Sequence, residues 1–278
     1  MPKSDRKKEE DQFICTLIGP HNPFSDEYVR KEVRWYHRGE YDKDGICLIT
    51  DEPQGVLPDY LNKNYRIGGM KVPILFIDNK LWMSLTPMEI QSQFLAIRNA
   101  SGEVGVAGLG MGYAALKMAQ SEDVDSITVF EIDPRIIRFF REAFHRRKGF
   151  NKISFVEGDA RETLVDHQFD FLYVDIYQTL LPDEILSDIE LFKTCVHEFP
   201  DGYHFWGQER VMVDASVGHE IISPIDLPVE VRALLTRWLK TPVSTTDNRL
   251  HDVMLSDMYH CVTDYEYAEN VLDALGML

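Results

Sequence analysis

Val104-Gly105-Val106-Ala107-Gly108-Leu109-Gly110-Met111-Gly112, followed by Ile127-Thr128-Val129-Phe130-Glu131-Ile132-Asp133-Pro134, decides the fold of this chain. Four small or branched apolar residues make a short buried strand, and glycines at alternate positions then turn the backbone tightly. Residues 113–119 read as the helix that follows, and 127–130 as a second strand. Asp133 is placed to cap a second helix, with Pro134 in its first turn. On that helix Ile136, Ile137, Phe140 and Phe144 fall on one stripe. The rhythm continues with strands at 153–156, 169–174 and 203–206, and a helix over 183–198. Strands that alternate with helices predict an α/β, Rossmann-like, doubly wound and mostly parallel sheet.

In such a sheet, ligands bind beyond the carboxyl ends of the strands. The residues there are the candidates for chemistry. Gly108, Gly110 and Gly112 form the turn after the first strand, where a ligand can approach the main chain. Glu131 ends the second strand, and a carboxylate there can accept from both hydroxyls of a ribose. Asp159 follows the third strand, within reach of an adenine amino group. Asp175 ends the fourth strand in Tyr173-Val174-Asp175-Ile176-Tyr177. A dinucleotide fingerprint needs Gly or Ala where Tyr113 stands, so the pattern is GxGxG rather than GxGxxG. Each residue also has a plainer role open to it. Glu131 and Asp175 suit helix caps, and Gly158-Asp159 suits a turn.

Outward from this core, residues 13–100 read as a β-rich N-terminal module. Runs at 45–50, 72–77 and 81–84 have strand character, and Asp78-Asn79-Lys80 is a hairpin turn signal. Thr86-Pro87-Met88-Glu89 reads as a helix start, with Glu89 in the capping-box position. Residues 1–12 are charged and unpatterned, which predicts a disordered tail. The Rossmann-like core is expected over 101–222, and 223–278 as a helical extension of it.

The whole chain has 278 residues, 29 basic and 46 acidic, for a net charge of −17, which argues against a protein that grips nucleic acid through phosphates. Arg135, Arg138, Arg141, Arg146, Arg147 and Lys148 read as a solvated helix face rather than an RNA patch. No run is long and apolar enough for a membrane span, and the first residues carry no signal-peptide pattern. The four cysteines are scattered and no histidine pair has ligand spacing, so no disulfide framework and no metal are expected. A cytoplasmic location is the expectation.

With the Glu131-Ile132-Asp133 and Gly158-Asp159-Ala160 stations, the GxGxG turn resembles the class I S-adenosylmethionine-dependent methyltransferases, over roughly 102–210. The resemblance implies Gly108, Gly110 and Gly112 near the methionine part of S-adenosylmethionine, Glu131 on its ribose and Asp159 on its adenine. Glu131-Ile132-Asp133-Pro134, the run Leu75-Phe76-Ile77-Asp78-Asn79-Lys80, Glu89, and Gln208-Glu209 further resemble the spermidine synthase branch of that superfamily. That branch implies a homodimer formed through the N-terminal module. The chain departs from it at Met111 and Gln178, where the branch carries acidic residues. Three readings stay open, in this order. The first is a methyltransferase acting on a small acceptor, an amine among the candidates. The second is an aminopropyltransferase using decarboxylated S-adenosylmethionine and a diamine, and the third a non-catalytic nucleoside-binding protein. In the enzyme readings Asp175 is the catalytic carboxylate. Tyr177 and Gln178 line the acceptor side, and Trp82 and Glu89 close it from the N-terminal module.

Overall fold

The computed structural model describes residues 26–36, 39–52, 57–58, 60, 64–65, 69–178, 184–198 and 202–207. The expected tail, the extension over 223–278 and Gln208-Glu209 lie outside the described residues.

The chain begins with helix α1 (Asp26–Tyr36), then strands β1 (Tyr41–Lys43) and β2 (Ile46–Asp51) and a two-stranded pair, β3 (Leu57–Pro58) with β4 (Asn64–Tyr65). Strands β5 (Val72–Ile77) and β6 (Lys80–Ser84) complete a four-stranded antiparallel sheet in the order β1-β2-β5-β6. The hairpin between β5 and β6 turns on Asp78 and Asn79, both at positive φ, as a two-residue turn requires. Helices α2 (Pro87–Ser92) and α3 (Phe94–Asn99) follow, separated by a break at Gln93. Thr86 makes no side-chain cap bond to α2. Glu89 is engaged elsewhere, by Gln93 four residues on, so the expected capping box gives way to an i,i+4 pair.

The second half alternates as its apolar rhythm requires: β7 (Gly102–Ala107), α4 (Tyr113–Met118), β8 (Val124–Glu131), α5 (Pro134–Phe144), β9 (Ile153–Glu157), α6 (Ala160–Thr163), β10 (Phe171–Val174), α7 (Ile185–Phe192) and β11 (Tyr203–Phe205). The five strands are parallel, in the order β11-β10-β7-β8-β9. The chain runs outward from β7 through β8 to β9, then returns to place β10 on the other side of β7. The switch point therefore lies between β7 and β10, and a crevice opens beyond their carboxyl ends. Asp133 caps α5 by accepting the Arg135 amide at 2.9 Å. The α5 stripe, Ile136, Ile137, Phe139, Phe140 and Phe144, is buried. Each such side chain stabilises the fold by about 1.5–3 kcal/mol relative to exposure.

The two sheets share one continuous apolar cluster, from Val29 and Leu75 through Met111 to Phe140 and Tyr173. Polar contacts register them on each other. Tyr36 donates to the Met111 carbonyl at 2.6 Å, and Tyr113 donates to the buried Glu32 at 3.0 Å. The basic face of α5 meets the turns of the antiparallel sheet: Arg135 pairs with Asp78, and Arg138 with Asp44. Glu142 on the same helix pairs with Lys43. Much of the charge that the sequence places on a solvated face thus holds the two sheets together. Among the described residues no helix is long and apolar enough to cross a membrane, and no cluster of His, Cys, Asp and Glu could hold a metal.

Candidate functional site

At the switch point a small cleft is lined by Met83, Gln93, Val106, Gly108, Leu109, Met111, Gly112, residues 113–115, Tyr173 and Asp175. The loop closes tightly because two of its glycines accommodate neighbours. At Gly108, φ is +87° and an added Cβ would sit 2.0 Å from the Asp175 carbonyl oxygen. At Gly112, φ is +74° and an added Cβ would sit 1.9 Å from the Phe140 ring. Gly108 lets β7 and β10 converge at the crevice, and Gly112 seats the loop on α5.

Four of the five amides of the loop, those of 108, 109, 111 and 112, are engaged. Gly108 N–H donates to the Phe130 carbonyl at 2.8 Å and Gly112 N–H to that of Leu109 at 2.7 Å. Leu109 N–H donates to Glu131 Oε2 at 2.9 Å. Met111 N–H donates to the Met83 sulfur at 3.3 Å. Glu131 Oε1 takes the Asp133 amide at 2.8 Å. Burial pushes the Glu131 carboxyl above its ordinary value, and these backbone donors pull it back. A carboxylate offers about four lone-pair sites, so Glu131 braces the loop and still has acceptor capacity. Asp159 caps α6 by accepting the Arg161 amide at 2.9 Å. Arg161 is held by Asp188 of α7 through two bonds of 2.9 and 2.8 Å.

Asp175 is the one carboxylate among the described residues lining the cleft. Asp175 follows β10, and Tyr173 donates to its Oδ2 at 3.2 Å. Glu89 of α2 interacts electrostatically with Asp175 and accepts from Gln93. Desolvation raises both acids, Glu89 well above its usual range and Asp175 to about 7, and the Asp175 charge raises Glu89 further. Gln93 is 3% exposed, and its Oε1 has no hydrogen-bond partner. No lysine, arginine or histidine is among the described residues lining the cleft. The Trp206 indole donates to Ser92 at 2.8 Å and ties α2 to the end of β11.

Of the expected site residues, Gly108, Gly112 and Asp175 line the cleft; Glu131 bonds the loop at Leu109 and Glu89 adjoins through Gln93, while Gly110 and Asp159 are not among the lining residues. Trp82 is 51% exposed, and Met83, its neighbour on β6, is the residue that lines the cleft. Successive strand residues point to opposite faces, which separates the two. Tyr177 sits beside Tyr203, Asp188 and Arg161 rather than among the lining residues, and Gln178 is exposed. Gln93 and Met83 were not singled out from the sequence. The i,i+4 spacing from Glu89 was the one local signal for Gln93. Met83 carries no such signal.

Replacing Glu131 by glutamine is expected to weaken nucleoside binding about tenfold, since one oxygen becomes a donor facing backbone donors in a buried site. Calorimetric titration of the variant against the native protein checks this.

No family model matches the chain, and its sequence has no match among curated proteins. Solved structures are similar to it over part of its length. One is a precorrin 8w decarboxylase from Methanobacterium thermoautotrophicum, at 20% identity and a TM-score of 0.32, over 38% of this chain and 56% of that one. A spermidine synthase in complex with the transition-state analogue AdoDATO is similar at 14% identity and a TM-score of 0.35, over 56% of this chain and 50% of that one. The O-methyltransferase TomG from Streptomyces achromogenes, in complex with SAM, is similar at 14% identity and a TM-score of 0.35, over 53% of this chain and 64% of that one. The chain spans about half the length of the first two.

Proposed function

We propose that the chain is an S-adenosylmethionine-dependent transferase that moves a methyl group to a small acceptor, with an amine favoured. One observation carries this reading. Four of the five loop amides at 108–112, which would cradle a phosphate in a dinucleotide site, are spent on carbonyls, a thioether and the Glu131 carboxylate. An anion brought to a loop braced by a carboxylate is repelled. A nucleoside without phosphate, carrying a cationic sulfonium, suits the same loop.

When bound, the sulfonium supplies an activated carbon and a neutral thioether leaving group. The chain supplies alignment and the acceptor's proton balance. Glu131 is placed to accept from ribose hydroxyls with its remaining lone pairs, and Asp159 lies at the adenine station. Asp175 takes the acceptor's proton, so that the nucleophile's lone pair attacks the carbon while the carbon–sulfur bond pair leaves with sulfur. Glu89 and Gln93 face the acceptor with acceptor atoms, which favours a cationic amine over a hydroxyl.

One observation favours a second reading, aminopropyl transfer from decarboxylated S-adenosylmethionine. No cationic side chain among the described lining residues meets the carboxylate of the methionine tail.

Separate calorimetric titrations with S-adenosylmethionine, its decarboxylated form and NADH test the proposal. Tighter binding of the carboxylated sulfonium, in the micromolar-to-millimolar range usual for substrates, is the expected result. Tighter binding of the decarboxylated form transfers the conclusion to aminopropyl transfer. Binding of NADH alone refutes both.

A further inference from the structure

A continuous run of hydrogen bonds leads from a hairpin turn of the antiparallel sheet to the carboxylate that braces the glycine loop. Asp78, in the β5–β6 turn, accepts from Arg135 Nη1 at 2.8 Å. Arg135 turns the rest of its guanidinium on Asp133, with Nε on Oδ1 at 3.0 Å and Nη2 on Oδ2 at 2.7 Å. The Arg135 amide adds its bond of 2.9 Å to the same Oδ1. The Asp133 amide donates to Glu131 Oε1 at 2.8 Å, and Glu131 Oε2 takes the Leu109 amide at 2.9 Å. The far end is anchored too. The Asp78 amide donates to the Gly45 carbonyl at 2.8 Å, which ties the β5–β6 turn to the β1–β2 turn. Gly45 packs so closely there that an added Cβ would collide with Asp78 Oδ1 and lie 3.2 Å from Arg135 Nη1. Capping α5 needs only the Asp133 carboxylate and the Arg135 amide. The forked guanidinium does more: it holds the Asp133 carboxylate in one plane, as a point charge would not. That fixes the turn over 131–135, and with it the amide that Glu131 accepts. The charged groups around Glu131 are Asp133 on the same turn and Glu157, opposite it on β9 and exposed.

We infer that Arg135 is a positioning residue for Glu131, acting through Asp133, and that Asp78 holds Arg135 in place from the other sheet. This deepens the transferase reading and rests on it in taking Glu131 to accept from the ribose of a nucleoside. Arg135 itself touches no nucleoside. It sets the direction of the Glu131 carboxylate through the Asp133 amide. It also offsets the Asp133 charge, which otherwise favours protonation of Glu131. The antiparallel sheet thereby has a part in nucleoside affinity. Coupling between sites is reciprocal, so a nucleoside that draws on an ordered Glu131 strengthens the contact between the hairpin turn and α5.

The test uses the full chain, with adenosine as a neutral, phosphate-free probe read by calorimetry. Asp78→Asn is the first variant, since asparagine tolerates the positive φ of that turn. It is expected to weaken adenosine binding about two- to fivefold, the scale of one exposed ion pair. In a Glu131→Gln background the same substitution is expected to have no effect, because the two residues act in one chain of bonds. A second measurement needs no ligand. With ¹³C at the glutamate carboxyl carbons, the Glu131 signal is assigned by its loss in Glu131→Gln. In Arg135→Gln the Glu131 titration midpoint is expected to move up, because the Asp133 charge is left uncompensated. A side chain that only stabilised the fold would move neither this midpoint nor the double-variant result. An Asp78→Asn loss that persists undiminished beside Glu131→Gln, no loss in Asp78→Asn alone, or a Glu131 midpoint unmoved in Arg135→Gln would each overturn the inference. If Arg135→Gln misfolds, the Asp78 and Glu131 variants decide it. If the native chain binds neither adenosine nor S-adenosylmethionine, the transferase reading falls, and the ligand-free midpoint still decides whether Arg135 acts on Glu131.

Discussion

Asp175→Asn is expected to lower turnover by about 10²–10⁴-fold, the usual contribution of a positioned proton acceptor, while nucleoside binding stays within a few-fold of native. Asparagine keeps the shape of the side chain but cannot take a proton. The bound nucleoside is served by Glu131 and the loop, which Asp175 does not contact through its side chain. Steady-state kinetics and calorimetry on the same preparation separate the two quantities. If turnover and binding fell together, Asp175 would be a structural residue at the strand end.

The pH behaviour of this residue has two signs that must be kept apart. On the proposed mechanism activity requires the ionised carboxylate, so the rate is expected to rise as pH climbs through about 7, where burial pushes the Asp175 titration. Stability runs the other way. Unfolded Asp175 titrates near the ordinary 3.8 and folded Asp175 near 7, so between these values the folded chain holds more protons than the unfolded one. Stability therefore falls as pH rises through that window and levels off above it. Asp175→Asn is expected to flatten this slope and to be the more stable protein at alkaline pH. Denaturant midpoints at a low and a high pH check the sign.

The largest effect on stability is expected from Gly108→Ala, a loss of roughly 2–5 kcal/mol. An alanine at positive φ costs roughly 1–2 kcal/mol. Forcing a methyl into packed structure adds about 1–3 kcal/mol. Here the obstruction is backbone: the new Cβ would lie 2.0 Å from the Asp175 carbonyl oxygen. That carbonyl must move, and with it the Asp175 carboxylate, so on the proposed mechanism activity is expected to fall even where the variant still folds. Gly69→Ala is the control. It shares a positive φ of +71° but has nothing within 4 Å of its Cβ position, so only the conformational cost of about 1 kcal/mol applies. Equal destabilisation of the two variants would mean that the close approach of β7 and β10 is not what Gly108 serves.

Local chemistry made the parallel half of the fold legible. Its strands are short apolar runs, its α5 helix opens on Asp133-Pro134, and the stripe from Ile136 to Phe144 has one period. All of these depend on neighbours within a few residues, which the sequence states directly. The placement of Gly108, Glu131, Asp159 and Asp175 after successive strands was legible for a related reason: a doubly wound sheet puts every strand's carboxyl end at the same edge. The hairpin turn at Asp78-Asn79 was equally local.

What the sequence left open depends on groups distant along the chain. Whether Glu89 caps a helix or faces Asp175 is decided by how α2 docks against the parallel sheet, with the Trp206–Ser92 hydrogen bond joining residues far apart in sequence. That docking lets the Asp175 charge raise the Glu89 titration, and no spacing rule relates the two. Met83 rather than Trp82 reaches the glycine loop because the register of β6 sets which face of the strand meets the cleft. The basic helix became an interface because the turns of the antiparallel sheet bring Asp44 and Asp78 to it. Sequence alone fixed the parallel framework and the edge where chemistry gathers, because hydrophobic period and turn residues act locally. The character of the cleft, an anionic pocket whose loop amides are mostly spent, was decided by tertiary structure, because charge and hydrogen-bond capacity depend on what packs beside each group.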